Sequence, residues 1–300
     1  MADRAYPPLP ETLKVPVYDD HTHIDPYSGP GWFGEEEASG DGHGPLDWRE
    51  QLDRASVAGV KGVVQVGTDV ESSRWSADHA AIDPRMLAAV AIHPNDAAVL
   101  EAEGGLDDAL AVIEGLASRP RVRAIGETGL DYYRTGEDGL AAQLRSFEAH
   151  IDIARRHGLA LQIHDRDAHV EVVDTLLRVG APDRTVFHCF SGDAGLATLA
   201  TSHGWYLSFA GTVTFKTAHD LRAALRVTPR DRILVETDAP WLAPAPVRGR
   251  PNAPYLVPHT LRFMAEVLET DPSMLAAQIA SNTEAVYGSW TDDAPERWGR

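Results

Sequence analysis

The chain has 300 residues, 43% hydrophobic and 24% charged, which is the composition of an ordinary globular protein and enough length for one large domain or two smaller ones. A formal net charge of −18 argues against non-specific adhesion to nucleic acid or anionic lipid, while leaving room for a local basic site or for bound metal ions that supply positive charge. No apolar run approaches the roughly 20 residues of a membrane helix, and the single cysteine, Cys189, rules out an internal disulfide, as expected of a cytoplasmic protein.

Residues 1–14 are polar and proline-rich, lack the apolar core of a signal peptide, and read as an N-terminal extension. Val15 to Asp19 reads as a short buried strand running into His21-Thr22-His23-Ile24-Asp25. The stretch 26–46, rich in Gly, Glu and Pro around Trp32 and Phe33, is a long loop of the kind that serves as a lid or is disordered. Helix and strand then alternate. Helices are predicted over Asp47–Ala58, Glu71–Ala81, Asp107–Leu116, Leu140–His157, Ala168–Val179, Ala194–Ser202 and His219–Val227. Between them lie apolar strands at Gly62–Val66, Leu87–Ile92, Val122–Ile125, Ala160–Ile163, Thr185–Phe187, Trp205–Phe209 and Ile233–Val235. Helices over Leu256–Leu268 and Met274–Ala280 close a single domain spanning 15–290, and 291–300 reads as a flexible tail. Eight strand-then-helix units without a linker or repeat predict an α/β fold with a parallel sheet closed into a (β/α)8, TIM-type barrel. A doubly wound open sheet is the alternative, but no glycine-rich phosphate loop follows the first strand.

In such a barrel the active site lies where the strands end, so the residues there are the candidates for chemistry. Strand one ends in His21 and His23, which point to the same side if the backbone is extended. Strand three ends in His93, strand four in Glu127 and Asp131, strand five in His164 and Asp165, strand six in His188, and strand eight in Glu236 and Asp238. Imidazoles and carboxylates gathered at one face suit a divalent transition metal or Mg, and no thiolate cluster competes. Cys189, next to His188 on a strand-like segment, should point the other way, into packing.

The pieces His21-Thr22-His23-Ile24-Asp25, Gly126-Glu127-Thr128-Gly129-Leu130-Asp131-Tyr132, His164 after Gln162-Ile163, His188-Cys189-Phe190-Ser191-Gly192, Glu236-Thr237-Asp238-Ala239-Pro240 and Arg248-Gly249-Arg250-Pro251-Asn252 resemble, in this order, the motifs of the TatD family of metal-dependent hydrolases. The resemblance covers about residues 17–288 and implies the metallo-dependent hydrolase barrel and a divalent-metal deoxyribonuclease, in several members a 3′-to-5′ exonuclease. It further implies that His21, His23 and Asp238 hold one metal, His164 and His188 a second, and Glu127 bridges them in place of the carboxylated lysine common in the wider amidohydrolase group. The 26–46 loop is longer than the family's, and Pro251 and Ala253 stand where a basic and an acidic residue are the family's habit.

Two divalent ions (Mg, Mn or Zn) about 3.5–4 Å apart would activate water and clamp a phosphodiester, with Glu127 and Asp238 catalytic and Asp238 the general base. Asp20, Asp165 and Glu236 are candidates to orient the histidines. His93, Arg134, Arg166, Lys216, Arg248 and Arg250 are candidate substrate contacts, and Tyr132, Tyr133, Phe190 and Trp241 candidate stacking surfaces for unpaired bases. The expected substrate is DNA with single-stranded ends, with neither a membrane nor an obligate protein partner. Two other readings use the same residues: a metal-dependent ester or amide hydrolase such as a D-aminoacyl-tRNA deacylase, and a metal-binding scaffold without catalysis.

Overall fold

The computed structural model describes residues 5–26 and 46–291, so the loop expected at 26–46, but for its two ends, and the tail beyond Thr291 lie outside the described residues. Eight strands lie side by side in chain order, each parallel to the next: β1 (Val17–Thr22), β2 (Val60–Val66), β3 (Met86–Val90), β4 (Val122–Asp131), β5 (Ala160–Arg166), β6 (Thr185–Phe187), β7 (Tyr206–Phe209) and β8 (Ile233–Val235). Just past the strand proper, His23 N–H donates to Ala239 O (2.7 Å) and Asp238 N–H to His21 O (3.0 Å), which brings the end of β8 onto β1.

Outside the strands run α1 (Trp48–Ala58), α2 (Val70–Ala80), α3 (Pro94–Glu103), α4 (Leu106–Ala117), α5 (Glu137–His157), α6 (His169–Val179), α7 (Ala194–Ser202), α8 (His219–Val227), α9 (Val257–Val267) and α10 (Pro272–Tyr287). Asp47, Asp69, Asp193 and Asp271 start α1, α2, α7 and α10 by accepting first-turn N–H groups, each such cap contributing about 1 kcal/mol.

Alternation along the strands separates two cores. Val63, Met86, Val122, Leu161, Phe187, Leu207 and Ile233 face the helices. Val64, Leu87, Ala124, Ala160, Val186 and Leu234 fill the barrel, closed at one end by Tyr18, Tyr287 and Trp290. The strands therefore read as continuous apolar runs, because both of their faces are buried.

Several expected bounds shift. β1 begins at Val17 and includes His21, so that histidine is a strand residue rather than one beyond the end. β4 and β5 run on through polar residues to Asp131 and Arg166. α3 lies in a stretch for which no element is predicted, and α10 continues to Tyr287.

Candidate metal centre

Two register slips shape the site. Between Asp19 and Thr22, β1 carries three steps against two on β2, and between Ile125 and Thr128, β4 does the same against β5. Such a bulge re-aims the side chains within it, and these two contain His21 and Glu127. Gly129 follows the second one directly. Its φ is +145°, and a Cβ there would lie 2.0 Å from His164 O, so only glycine lets β4 run this close to β5.

Four donors meet at the β1–β8 seam. His21 Nε2 and His23 Nε2 are 3.1 Å apart. Glu127 Oε2 is 3.6 and 3.7 Å from them, and Asp238 Oδ1 is 3.9 and 3.5 Å from them. His23 donates its Nδ1–H to Val66 O (2.9 Å), so its Nε2 turns a lone pair into the cluster. Donors held about 2.1 Å from one tetrahedral ion are about 3.4 Å from each other. The observed spacings bracket that value, and the residues fit a divalent cation.

The other oxygen of the same carboxylate faces a second group. Glu127 Oε1 is 2.5 Å from His164 Nδ1, 2.9 Å from His188 Nε2 and 3.6 Å from His93 Nε2. Burial works against charge on Glu127, but His188, His93 and His164 outweigh it and hold its carboxyl well below the usual carboxylate range. Burial likewise opposes charge on His188, and Glu127 and Glu236 outweigh it and push the imidazole well above its ordinary value. The site is a compact set of buried and partly buried donors arranged around one two-sided carboxylate.

The structure thus brings together all six expected metal ligands, His21, His23, Glu127, His164, His188 and Asp238. Asp238 reaches its position with φ at +54°, a left-handed conformation that aspartate tolerates better than most residues. Of the three residues expected to orient histidines, only Glu236 touches one of the expected metal-ligating histidines, with Oε1 3.3 Å from His188 Nδ1. Asp20 instead accepts from Ser208 (2.6 Å) and Tyr287 (3.1 Å), and Asp165 pairs with His169 (2.7 Å).

The residue that orients His164 was not among the expected ones. Asp131 Oδ2 is 3.2 Å from His164 Nε2 and accepts from Asn95 Nδ2 (3.2 Å), while its Oδ1 takes the N–H groups of Tyr133 (3.0 Å) and Arg134 (2.8 Å). Its place at the end of the Gly126–Asp131 stretch was the available signal. His93 has two tasks: its Nδ1 caps α3 by accepting from Asn95 N–H (3.1 Å), and its Nε2 faces Glu127. Cys189 departs from the expected alternation because β6 stops at Phe187. Its φ is +38°, its N–H donates to Glu236 Oε1 (2.8 Å), and its thiol reaches Thr212 instead of a core beyond the strand.

Among the mouth residues, Arg166 lies over the Tyr133 ring (4.1 Å) and Arg248 over the Phe215 ring (4.1 Å), and Arg134 and Lys216 are exposed. Arg250 is used differently: it donates to the carbonyls of Ala5 and Tyr6 (both 3.0 Å), tying the β8–α9 loop to the N-terminal segment. Trp241 stands edge-on to His23, Tyr132 is half-buried, and Phe190 is buried between Phe187 and Phe209, which closes it as a stacking surface. No helix among the described residues is long and apolar enough to cross a membrane.

The family model described as TatD related DNase matches residues 18–288. A Mycobacterium tuberculosis protein described as an uncharacterized metal-dependent hydrolase TatD is 43% identical over 276 residues, covering 91% of this chain and 98% of that one. A Citrobacter rodentium protein described as a 3′-5′ ssDNA/RNA exonuclease TatD is 32% identical over 248 residues, covering 81% and 92%. The crystal structure of the TatD homologue YJJV from Escherichia coli superposes with a TM-score of 0.77 at 26% identity over 91% of this chain and 98% of that one.

Proposed function

The chain belongs to the family of TatD-related metal-dependent hydrolases, and on that premise we propose that it is a nuclease that removes nucleotides one at a time from the 3′ end of single-stranded DNA. One observation carries the reading. Glu127 presents one oxygen to His21 and His23 and the other to His164 and His188, the arrangement a carboxylate needs to serve two cations at once. In this reading His21, His23 and Asp238 would hold one divalent ion, His164 and His188 the other, and Glu127 would serve both. Bound there, the ions supply Lewis acidity and lower the pKa of water.

The chain's own groups do the rest. Asp238, at the rim of the cluster, accepts the proton of the attacking water. Glu236 and Asp131 hold His188 and His164 so that each turns one nitrogen to Glu127. Arg134, Arg166, Lys216 and Arg248 meet the phosphates, and His93 adds an N–H donor beside Glu127. Arg250 holds the loop rather than the substrate. Support for the substrate class comes from the Citrobacter rodentium relative's description as an ssDNA/RNA exonuclease. The reading includes a cytoplasmic site of action, in keeping with a single cysteine.

A 5′-labelled single strand incubated with the protein and Mn, Mg or Zn should yield a ladder descending by single nucleotides, while closed circular single strands resist. Glu127→Gln should lower the rate by at least about 10³-fold. Rapid internal cutting of circles without a ladder would sink the exonuclease reading, and an unchanged rate in Glu127→Gln would sink the shared-carboxylate reading.

A further inference from the structure

Some surface arginines of this acidic protein pair with carboxylates, among them Arg85, Arg119, Arg145 and Arg178 on the outside of the barrel. At the mouth, Arg166 and Arg248 have no acidic partner among the described residues and lie instead on aromatic rings. A guanidinium kept free of carboxylates, beside a site that accepts a phosphodiester, is an available anion contact.

The two pairs are built differently. Tyr133 is 66% exposed, and the half-buried Arg166 covers one of its faces, so the ring is open on the other. Arg248 is the exposed member of its pair, and the half-buried Phe215 backs it. The first presents a π-face beside a charge, and the second a charge alone. They also stand apart: Tyr133 and Arg166 follow β4 and end β5, whereas Phe215 and Arg248 follow β7 and β8, three strands further round the barrel. The first pair is joined to the centre by one carboxylate, because Asp131 holds Tyr133 N–H and His164 Nε2 together. The second rests on a link between its loops, Ala245 N–H donating to Thr214 Oγ1 (2.9 Å).

We propose that these pairs are two nucleotide subsites flanking the centre, Tyr133 backed by Arg166 stacking an unpaired base and Arg248 backed by Phe215 binding a backbone phosphate. The proposal rests on the nuclease reading for its substrate class. It commits to unpaired strands, since a base in a duplex offers no free face to Tyr133.

The test is fluorescence anisotropy with the full-length, Mn-loaded protein and two labelled phosphorothioate strands of equal length that resist hydrolysis, one carrying thymine throughout and one abasic throughout. Tyr133→Ala should weaken the thymine strand about tenfold and leave the abasic strand nearly unchanged, and Tyr133→Trp should restore binding. Arg248→Ala should weaken both strands by a similar factor, and Arg178→Ala, on α6, neither. Equal loss of both strands in Tyr133→Ala, or no loss of either strand in Arg248→Ala, overturns the assignment. The nuclease reading is judged separately, by cleavage of an ordinary phosphodiester strand by the unaltered protein. Absence of cleavage with this binding pattern intact removes that reading alone, and cleavage with the pattern missing removes the subsites alone.

Discussion

Glu127 is the residue around which the others are arranged, and its surroundings separate what a sequence exposes from what only contacts expose. The six expected metal ligands lie in the last part of a strand or just beyond it, so a reading of where apolar runs give way to polar residues brings them together. Asp131 escaped because its partner, His164, is 33 residues away and the contact depends on how an imidazole is turned. Arg250 was misleading for a similar reason: nothing local to it shows that residues 5 and 6 pass beside its loop. Removing the orienting carboxylate should cost metal affinity rather than fold. Asp131→Asn is expected to weaken binding of one of two Mn ions by about 10- to 100-fold in calorimetry, with the thermal midpoint of the metal-free protein little changed. Two Mn sites of unchanged affinity would show that Asp131 does not orient His164.

Among the elements, the predicted strands and helices that match best include ones with apolar faces, such as β6, α8 and β8. α3 was missed because only Pro94 and Ala97 in it are buried, leaving no apolar stripe to read. The bulges in β1 and β4 leave no mark on hydrophobic pattern, since every residue of both strands is buried. Gly129 is the exception a glycine-based reading could find. Gly129→Ala should destabilise the protein by about 2–4 kcal/mol in urea unfolding and displace His164, because the new methyl meets His164 O. An alanine variant of unchanged stability and metal content would contradict the close β4–β5 approach.

The α5 helix offers a second test. His150 donates Nδ1–H to Ser146 O (2.7 Å) and accepts from Ile92 N–H at Nε2 (3.1 Å), so its folded form is neutral, and burial lowers its pKa to about 4. The unfolded chain, with a histidine pKa of about 6.5, binds the extra proton first. Its contribution is therefore whole above about pH 6.5 and falls by about 3 kcal/mol as the pH drops to about 4. His150→Gln, which keeps an acceptor for Ile92 N–H, should lose less stability than the parent over that window. Identical pH profiles would refute the neutral latch.

The whole molecule combines a net charge of −18 with a mouth whose cations, Arg134, Arg166, Lys216 and Arg248, have no ion pair among the described residues. The barrel itself was legible because eight units alternate without interruption, which few topologies allow. What covers the mouth was not, because the loop at 26–46 has neither apolar period nor motif. Binding of a single strand should fall with salt with a log–log slope of about 3, some 0.7 for each of four phosphate contacts, and each Arg→Ala should reduce it by about 0.7. A slope near zero would mean that the mouth cations meet no phosphates. Convergence of strand ends from the whole barrel on one shared carboxylate is the central claim, and anomalous diffraction from Mn-loaded crystals tests it most directly. The account predicts two Mn peaks with Glu127 bound to both, one also held by His21, His23 and Asp238 and the other by His164 and His188. A single peak, or two with Glu127 bound to neither, would contradict it.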